Sequence, residues 1–211
     1  MENSTRKTGT TTVGVKSKDC VVLGADTRAT AGNFIASKHE KKVFAVTDNI
    51  AVTISGSVAG IQMIIKHLRA QIKLRTIKTN RDMTTKEVVN LLRNYVFGTI
   101  RTPSMIPDIA HLLVGGYDKH GTHLYEIFMD GTLSEVDTFV STGSGSVFAY
   151  GVLESKYKEG LSRDEALQLT EECIDVAIQR DSASGNGANI FVVDKEGARQ
   201  VVEKKVNTHL A

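Results

Sequence analysis

The amino-acid sequence predicts an α+β protein in which antiparallel sheets are covered by layers of helices. The first observation is the order of the predicted elements, which runs strands, two helices, strands, two helices and a final pair of strands. Helix pairs that separate blocks of adjacent strands do not give the alternating strand and helix rhythm of a parallel doubly wound sheet. The second observation is the length of 211 residues, which fits one domain of ordinary size.

Four predicted strands precede the first helix. They are rich in β-forming residues and lie at 10–15, 20–26, 41–46 and 50–55. Between the second and the third of them, the segment 28–33 is small, polar and glycine-containing, which predicts a loop.

Two amphipathic helices follow these strands. The first opens at Gly56-Ser57 and carries apolar residues at a spacing of three to four, with Lys and Arg between them. The second starts at Thr84, which forms a capping box with Glu87 because each side chain can bond the backbone N–H of the other residue. Two such helices in succession predict a helical layer on a sheet.

The second half of the chain repeats this order. The predicted elements are strands at 109–116, 123–129 and 133–140, helices at 147–157 and 162–180, and strands at 189–194 and 198–202. Ser162 and Glu165 make a second capping box at the start of the last helix.

The composition excludes several classes of function. Hydrophobic residues make up 41% and charged residues 24%, as in ordinary globular proteins. The net charge of +2 is spread along the chain, so no basic surface for nucleic acid is predicted. No apolar run approaches the ~20 residues that a membrane span needs. Cys20 and Cys173 lie in apolar settings far apart in sequence, which favours reduced core thiols in a cytoplasmic protein; a disulfide between them is the alternative.

Metal, nucleotide and serine-hydrolase motifs are weak or missing. His120 and His123 are three residues apart but lie in a glycine turn, so a solvated turn is favoured over a metal site. The sequence has no Gly-Lys dipeptide for a phosphate-binding loop. Thr142 occupies the first glycine position of a Gly-x-Ser-x-Gly elbow. We therefore expect neither metal nor cofactor.

The start of the chain offers threonine chemistry. Thr10 follows Gly9 and directly precedes an apolar run. A threonine can be a nucleophile that supplies its own base only if its α-amino group is free, which requires the bond before it to be cut. We interpret Gly9-Thr10 as that bond and residues 1–9 as a propeptide too short and polar for a secretory signal. The alternative is a frayed tail before a threonine-rich strand.

Six short landmarks in a fixed order carry a resemblance to a known family. They are Gly9-Thr10-Thr11-Thr12-Val13-Gly14, Gly24-Ala25-Asp26-Thr27-Arg28, Lys41-Lys42, Ser55-Gly56, Thr142-Gly143-Ser144-Gly145-Ser146 and Arg180-Asp181-Ser182-Ala183-Ser184-Gly185. Together they resemble proteasome β subunits, most closely those of the archaeal type. The resemblance implies the four-layer αββα sandwich of the N-terminal nucleophile hydrolases, formed here by residues 10–211.

The resemblance also implies a catalytic role for each matched residue. Thr10 would be the nucleophile, and its free α-amino group, with an ordinary pKa of ~7.7–8.0, would shuttle protons. Lys42 would supply a nearby cation, and Asp26 would pair with that lysine because an isolated buried charge is costly. The backbone N–H of Gly56 would stabilise the oxyanion.

Three further residues, Ser144, Asp181 and Ser184, match positions that hold the threonine amino group and orient the proton network. Without the resemblance, the segment 143–146 is typical of a helix N-terminus with a serine cap, and 181–187 of the loop after a helix. Both interpretations can hold for the same residues.

The resemblance extends to the substrate pocket. The matched pocket positions are Ala29, Glu40, Phe44, Ile54 and Val58, and Thr30 matches a residue that bonds the substrate backbone. Because Ala29, Ile54 and Val58 are apolar and modest in size, we expect cleavage after hydrophobic residues.

The expected function is therefore a threonine endopeptidase of the proteasome core that degrades unfolded polypeptides after removing its own propeptide. Two alternatives stay open: a non-catalytic β-type ring subunit, and an N-terminal nucleophile amidohydrolase acting on a small amide. The resemblance implies partners as well, namely proteasome α subunits and other β subunits in stacked seven-membered rings, with a regulatory ATPase acting through the α rings.

Overall fold

The computed structural model describes residues 9–56, 58–103 and 110–205, and at 58–61 the backbone only. In chain order, the strands are β1 (Thr11–Lys16), β2 (Val21–Asp26), β3 (Ala29–Ala31), β4 (Phe34–Ser37), β5 (Val43–Thr47), β6 (Ile50–Gly56), β7 (Ala110–Asp118), β8 (Gly121–Ile127), β9 (Leu133–Val136), β10 (Phe139–Gly143), β11 (Gly187–Asp194) and β12 (Gly197–Lys205). The helices are α1 (Val58–Thr79), α2 (Thr85–Arg101), α3 (Ser146–Lys156) and α4 (Arg163–Arg180).

Ten of these strands form two five-stranded antiparallel sheets. The first sheet has the order β10-β1-β2-β11-β12, and the second has the order β5-β6-β7-β8-β9. β1 is therefore the middle of three paired strands, with β10 on one side and β2 on the other. Strands from the first and the second half of the chain thus meet around the residues that follow Thr10.

Three buried apolar cores separate four layers in the order helices, sheet, sheet, helices. One core joins α3 and α4 to the first sheet, one lies between the two sheets, and one joins α1 and α2 to the second sheet. Strand alternation divides side chains among them, because neighbouring residues of a strand point to opposite faces. In β6, Ala51 faces the other sheet, whereas Val52 and Ile54 face the helices. The predicted αββα sandwich is confirmed.

The two helices with predicted capping boxes begin where the sequence indicates. Thr84 and Glu87 exchange side-chain and backbone hydrogen bonds at the start of α2, and Ser162 and Glu165 do so at the start of α4. The predicted serine cap of α3 is wrong: Gly145 is the N-cap residue and makes no side-chain cap bond. The serine hydroxyl in this segment is used elsewhere, as described below.

Two strand predictions also differ from the structure. The single strand predicted at 133–140 is two strands, because the chain leaves the second sheet after β9 and joins the first sheet as β10. Residues 28–33, predicted as a loop, contribute β3 and the turn of a small hairpin with β4. The predicted strand start at Ile109 lies outside the described residues, as do residues 1–8 of the predicted propeptide.

Among the residues that the structure describes, no helix is long and apolar enough to span a membrane. These described residues contain no group of three His, Cys, Asp or Glu side chains that could hold a metal ion. His123 lies instead against Asp118 and Glu135, with nitrogen-to-oxygen distances of 3.3 and 3.5 Å.

Candidate active site

Thr10 lies just before β1 and is buried, with 5% of its surface exposed. Its hydroxyl donates a hydrogen bond to the carbonyl oxygen of Gly9 at 2.6 Å. Its backbone N–H donates to Oγ of Ser144 at 3.2 Å, across 134 residues of sequence. The hydroxyl and the peptide group that precede β1 are thus both held by specific contacts.

Lys42 and Asp26 form a buried ion pair beside β1, the strand that follows Thr10. Nζ of Lys42 lies 2.7 Å from Oδ1 of Asp26, and their side chains are 2% and 0% exposed. Burial lowers the pKa of Lys42 from its ordinary value, and the charge and hydrogen bond of Asp26 oppose that shift. The carboxylate of Asp26 thus offsets part of the cost of burying this ammonium.

Asp26 also binds three backbone N–H groups. Oδ1 accepts from Thr11 at 2.9 Å, and Oδ2 accepts from Arg28 at 3.0 Å and from Gly185 at 2.9 Å. These groups belong to β1, to the segment after β2 and to the loop before β11. The carboxylate therefore fixes the ammonium of Lys42 and the residue after Thr10 relative to one another.

A second network joins the hydroxyls around Asp181. Oγ of Ser144 and Oγ of Ser184 donate to the same carboxylate oxygen of Asp181, at 2.6 and 2.7 Å. Since Ser184 gives its proton to Asp181, the 2.7 Å contact between Ser184 and Thr11 has the threonine hydroxyl as donor. The network runs from Thr10 through Ser144 to Asp181, which is the C-cap residue of α4.

Two glycines allow the backbone to approach Thr10 or to turn near it. Gly143 has a φ of 94°, and a Cβ there would lie 2.0 Å from the carbonyl oxygen of Thr10. Gly56, at the end of β6, has a φ of 128°, a conformation that residues with a Cβ rarely adopt. The predicted oxyanion role of the Gly56 N–H remains a prediction.

The predicted substrate-binding residues lie in different parts of the fold. Oγ1 of Thr30 accepts a hydrogen bond from the N–H of Gly9 at 3.0 Å, so this residue does bond the backbone before the predicted scissile bond. Ala29 lies in β3, paired with Ser37. Ile54 is buried in the core under α1 and α2, and Phe44 packs against the same core. The side chain of Val58 lies outside the described residues, and its pocket role stays a prediction.

Arg28 is a residue near the candidate site for which the sequence predicted no role. Its Nε donates to Oδ1 of Asn186 at 2.8 Å, and Nη1 donates to the carbonyl of Ser182 at 2.8 Å. A Cβ at Gly185 would lie 2.3 Å from this guanidinium. Arg28 thus holds the loop that carries Asp181 and Ser184 through two hydrogen bonds. The sequence signal that could have indicated this role is the position of Arg28 in the second landmark, Gly24-Ala25-Asp26-Thr27-Arg28.

The four layers, and a buried threonine followed by a residue bound to a lysine and aspartate pair, define an N-terminal nucleophile hydrolase fold. Residues 6–193 match the family model for proteasome subunits. The chain is 43% identical to the proteasome subunit beta of Ferroglobus placidus, over 89% of this chain and 88% of that protein. It is 38% identical to those of Methanoregula boonei, over 97% and 94%, and Methanocaldococcus vulcanius, over 94% and 87%. The chain belongs to the proteasome family, as a β-type subunit of the core particle.

Proposed function

We propose that this subunit is an active threonine endopeptidase whose nucleophile is Thr10. The observation that carries the proposal is that one buried carboxylate, Asp26, binds both the ammonium of Lys42 and the N–H of the residue after Thr10. The side chain of Lys42 is only 2% exposed, so water does not solvate its charge, and burial of such a charge is costly even when it is paired. The presence of such a costly pair beside the predicted nucleophile favours the catalytic role over the non-catalytic alternative.

The same hydroxyl would first remove residues 1–9. Oγ of Thr10 attacks the carbonyl carbon of Gly9 and loses its proton, the Gly9-Thr10 C–N bond breaks, and the amine nitrogen receives a proton. The result is an ester between Gly9 and the threonine oxygen. A water molecule then hydrolyses that ester, which frees the propeptide acid and regenerates the hydroxyl. The contact of 2.6 Å between Oγ1 and the Gly9 carbonyl oxygen supports this proposal.

The mature subunit would then cleave peptides by the same chemistry. Thr10 Oγ forms an acyl-enzyme ester with the substrate carbonyl, the released amine takes a proton, and water completes hydrolysis. The free α-amino group, held by Ser144, relays protons while the Lys42 ammonium favours its neutral form. Ser144, Asp181 and Ser184 orient this network, and the Gly56 N–H stabilises the oxyanion, a contribution of roughly 3–4 kcal/mol for one such donor.

The chain's pocket residues support a preference for cleavage after hydrophobic residues. The predicted pocket positions Ala29, Ile54 and Val58 are all apolar, and Ile54 is buried in the core under α1 and α2. The assay compares peptides that end in Leu or Tyr, in Arg and in Glu, with Thr10→Ala particles as the blank. The apolar peptides should be cut fastest, and faster cleavage after Arg or Glu would contradict the pocket assignment.

The wider assembly is also a proposal. We place this subunit in a seven-membered β ring stacked on a second β ring and flanked by rings of α subunits, in the cytoplasm. Unfolded polypeptides would reach the enclosed sites through the α rings, where a regulatory ATPase acts. The family membership supports assembly with other core subunits.

The decisive experiment combines N-terminal sequencing, intact mass and a threonine-directed inhibitor on assembled particles. The parent chain and Thr10→Ser, which keeps the hydroxyl, should begin at residue 10 and bind the inhibitor. Thr10→Ala should keep residues 1–9 and hydrolyse no peptide above background. A trimmed or active Thr10→Ala chain would contradict the proposal, and an untrimmed, inhibitor-resistant parent would favour the non-catalytic alternative.

A further inference from the structure

The space around Gly9 is closed on the side where a side chain would point. Gly9 is buried, and its N–H is held by Thr30 at 3.0 Å. A Cβ built on Gly9 would lie 1.8 Å from Cβ of Ala183, 3.0 Å from Cα of Ala183 and 3.0 Å from Oγ of Ser144. Carbon atoms in van der Waals contact lie ~3.5–4.0 Å apart, so a methyl group there would overlap Ala183 outright.

Ala183 is not free to move away from this position. Its own N–H donates to Oδ1 of Asp181 at 3.2 Å. The residues on either side are also held, because the carbonyl of Ser182 accepts from Arg28 and Ser184 is fully buried against Thr11 and Asp181. Relieving the overlap would therefore break several contacts of the candidate active site.

The conformation of Gly9 gives no separate reason for a glycine. Positive φ values are recorded for other glycines of the described chain, including Gly143 and Gly56, but not for Gly9. The requirement at this position is thus one of space rather than of backbone freedom. It separates Gly9 from the glycines whose φ only a residue without Cβ adopts readily.

We propose that the methyl group of Ala183 restricts the residue before the self-cleaved bond to glycine. This inference rests on the proposed self-cleavage of Gly9-Thr10. A side chain at position 9 would push the carbonyl away from the Thr10 hydroxyl, which now lies 2.6 Å from the carbonyl oxygen. Misplacement of reacting groups by about 1 Å can slow a reaction ~100-fold.

One active site would therefore have two different selectivities, one for residue 9 of its own precursor and one for the residue before the scissile bond of a peptide substrate. In the precursor, residue 9 is tied to Thr10 by a peptide bond and its side chain must point at Ala183. A peptide substrate has no such tether, so its residue before the scissile bond can turn its side chain away from Ala183, toward the substrate pocket proposed above. The same nucleophile thus accepts only glycine within its own chain and larger residues in other chains.

The test follows the N-terminal peptide mass with time in four assembled precursors: the parent, Gly9→Ala, Ala183→Gly and the double variant. Gly9→Ala should process at least about tenfold more slowly than the parent. Ala183→Gly alone should still process. The double variant should recover at least about half of the lost rate on a logarithmic scale, because the 1.8 Å overlap is removed while the 3.0 Å contacts remain.

Gly9→Val in the Ala183→Gly background is the control for general loosening of the loop. It should stay slow, because removing one methyl group makes room for one methyl group only. The proposal is overturned if the double variant is no faster than Gly9→Ala, if Ala183→Gly alone abolishes processing, or if Gly9→Val is rescued equally. An unprocessed parent chain would instead refute the proposed self-cleavage, so the two failures are distinguishable.

Discussion

Two carboxylates of this subunit, Asp26 and Glu87, are both centres of several hydrogen bonds, yet they do different work. Asp26 is fully buried and binds Lys42 and three backbone N–H groups. Glu87 is 28% exposed and binds Arg81 through both oxygens, together with the N–H and hydroxyl of Thr84. The two carboxylates have similar numbers of hydrogen-bond partners but differ in solvent exposure.

The difference lies in how far apart the partners are in sequence. Glu87 and Arg81 are six residues apart, and Arg75, near the end of α1, lies 3.9 Å from Glu87, so their cluster organises the start of α2 and its junction with α1. Asp26 and Gly185 are 159 residues apart, and the Asp26 cluster therefore holds segments that are distant in sequence around one cation. A buried charge pair is weak as a source of stability but strongly destabilising when one partner is removed. We therefore expect changes at the Asp26 cluster to affect catalysis and folding, and changes at the Glu87 cluster to affect folding alone.

The largest expected effect is on peptide hydrolysis by Lys42→Ala. In the proposed mechanism, removing the cation leaves the α-amino group of Thr10 without its electrostatic partner, and loss of such proton-transfer assistance costs ~10²–10⁴-fold. Initial rates on assembled particles measure this. Lys41→Ala is the matched control, because the neighbouring lysine is exposed, and it should stay within about twofold of the parent. Comparable rates for the two variants would contradict the proposed role of Lys42.

The second effect is the stability change caused by Asp26→Asn. The amide keeps the shape of the carboxylate but leaves the buried Lys42 ammonium without a counter-charge, so the free energy of unfolding should fall by ~3–5 kcal/mol. Urea unfolding of the purified precursor chain measures this change. Combining Asp26→Asn with Lys42→Met should restore part of the loss, since both charges are then absent. A double variant as unstable as the single one would argue against the ion pair as the cause.

Glu87→Gln should have a smaller effect and leave peptide hydrolysis unchanged. The glutamine can still reach the Thr84 N–H but loses the bidentate bond to Arg81, and caps and exposed ion pairs of this kind contribute about 1 kcal/mol. The urea midpoint measures the loss. Glu154→Gln, at an exposed position of α3, is the control and should change stability by less than ~0.5 kcal/mol. A loss of activity in Glu87→Gln would break the contrast between the two clusters.

The last effect is the change with pH in the stability that Glu87 contributes, which cannot exceed the effect of Glu87→Gln itself. The hydrogen bond from Arg81, with further bonds from Thr84, lowers the pKa of Glu87 from 4.5 to about 2. A carboxyl group whose pKa is lowered in the folded state contributes stability that is complete above its unfolded pKa and is lost as pH falls through its folded pKa. Between about pH 5 and about pH 2, the parent should therefore lose its advantage of about 1 kcal/mol over Glu87→Gln. An advantage that persists at the acid end would contradict the sign of this shift.

Local signals predicted a large part of the fold. Both capping boxes occur where the sequence places them, because a capping box needs only residues three apart and a following apolar periodicity. The strand and helix order also followed from local patterns and was enough to exclude a parallel doubly wound sheet. The prediction failed at 133–140, where β9 and β10 pair with different sheets although the residues read as one continuous strand.

By itself, the sequence determined which residues could carry chemistry, because six landmarks in a fixed order single out Thr10, Asp26, Lys42 and the segments around Ser144 and Asp181. Only the tertiary structure decided how they meet: Thr10 contacts Ser144 across 134 residues, and Asp26 contacts Gly185 across 159. It also revealed the hydrogen bonds of Arg28 and the position of Ala183, which fills the space that a side chain at residue 9 would need. Propensity and periodicity act over a few residues, whereas hydrogen bonds and steric exclusion between distant segments exist only after both sheets and their helices have packed.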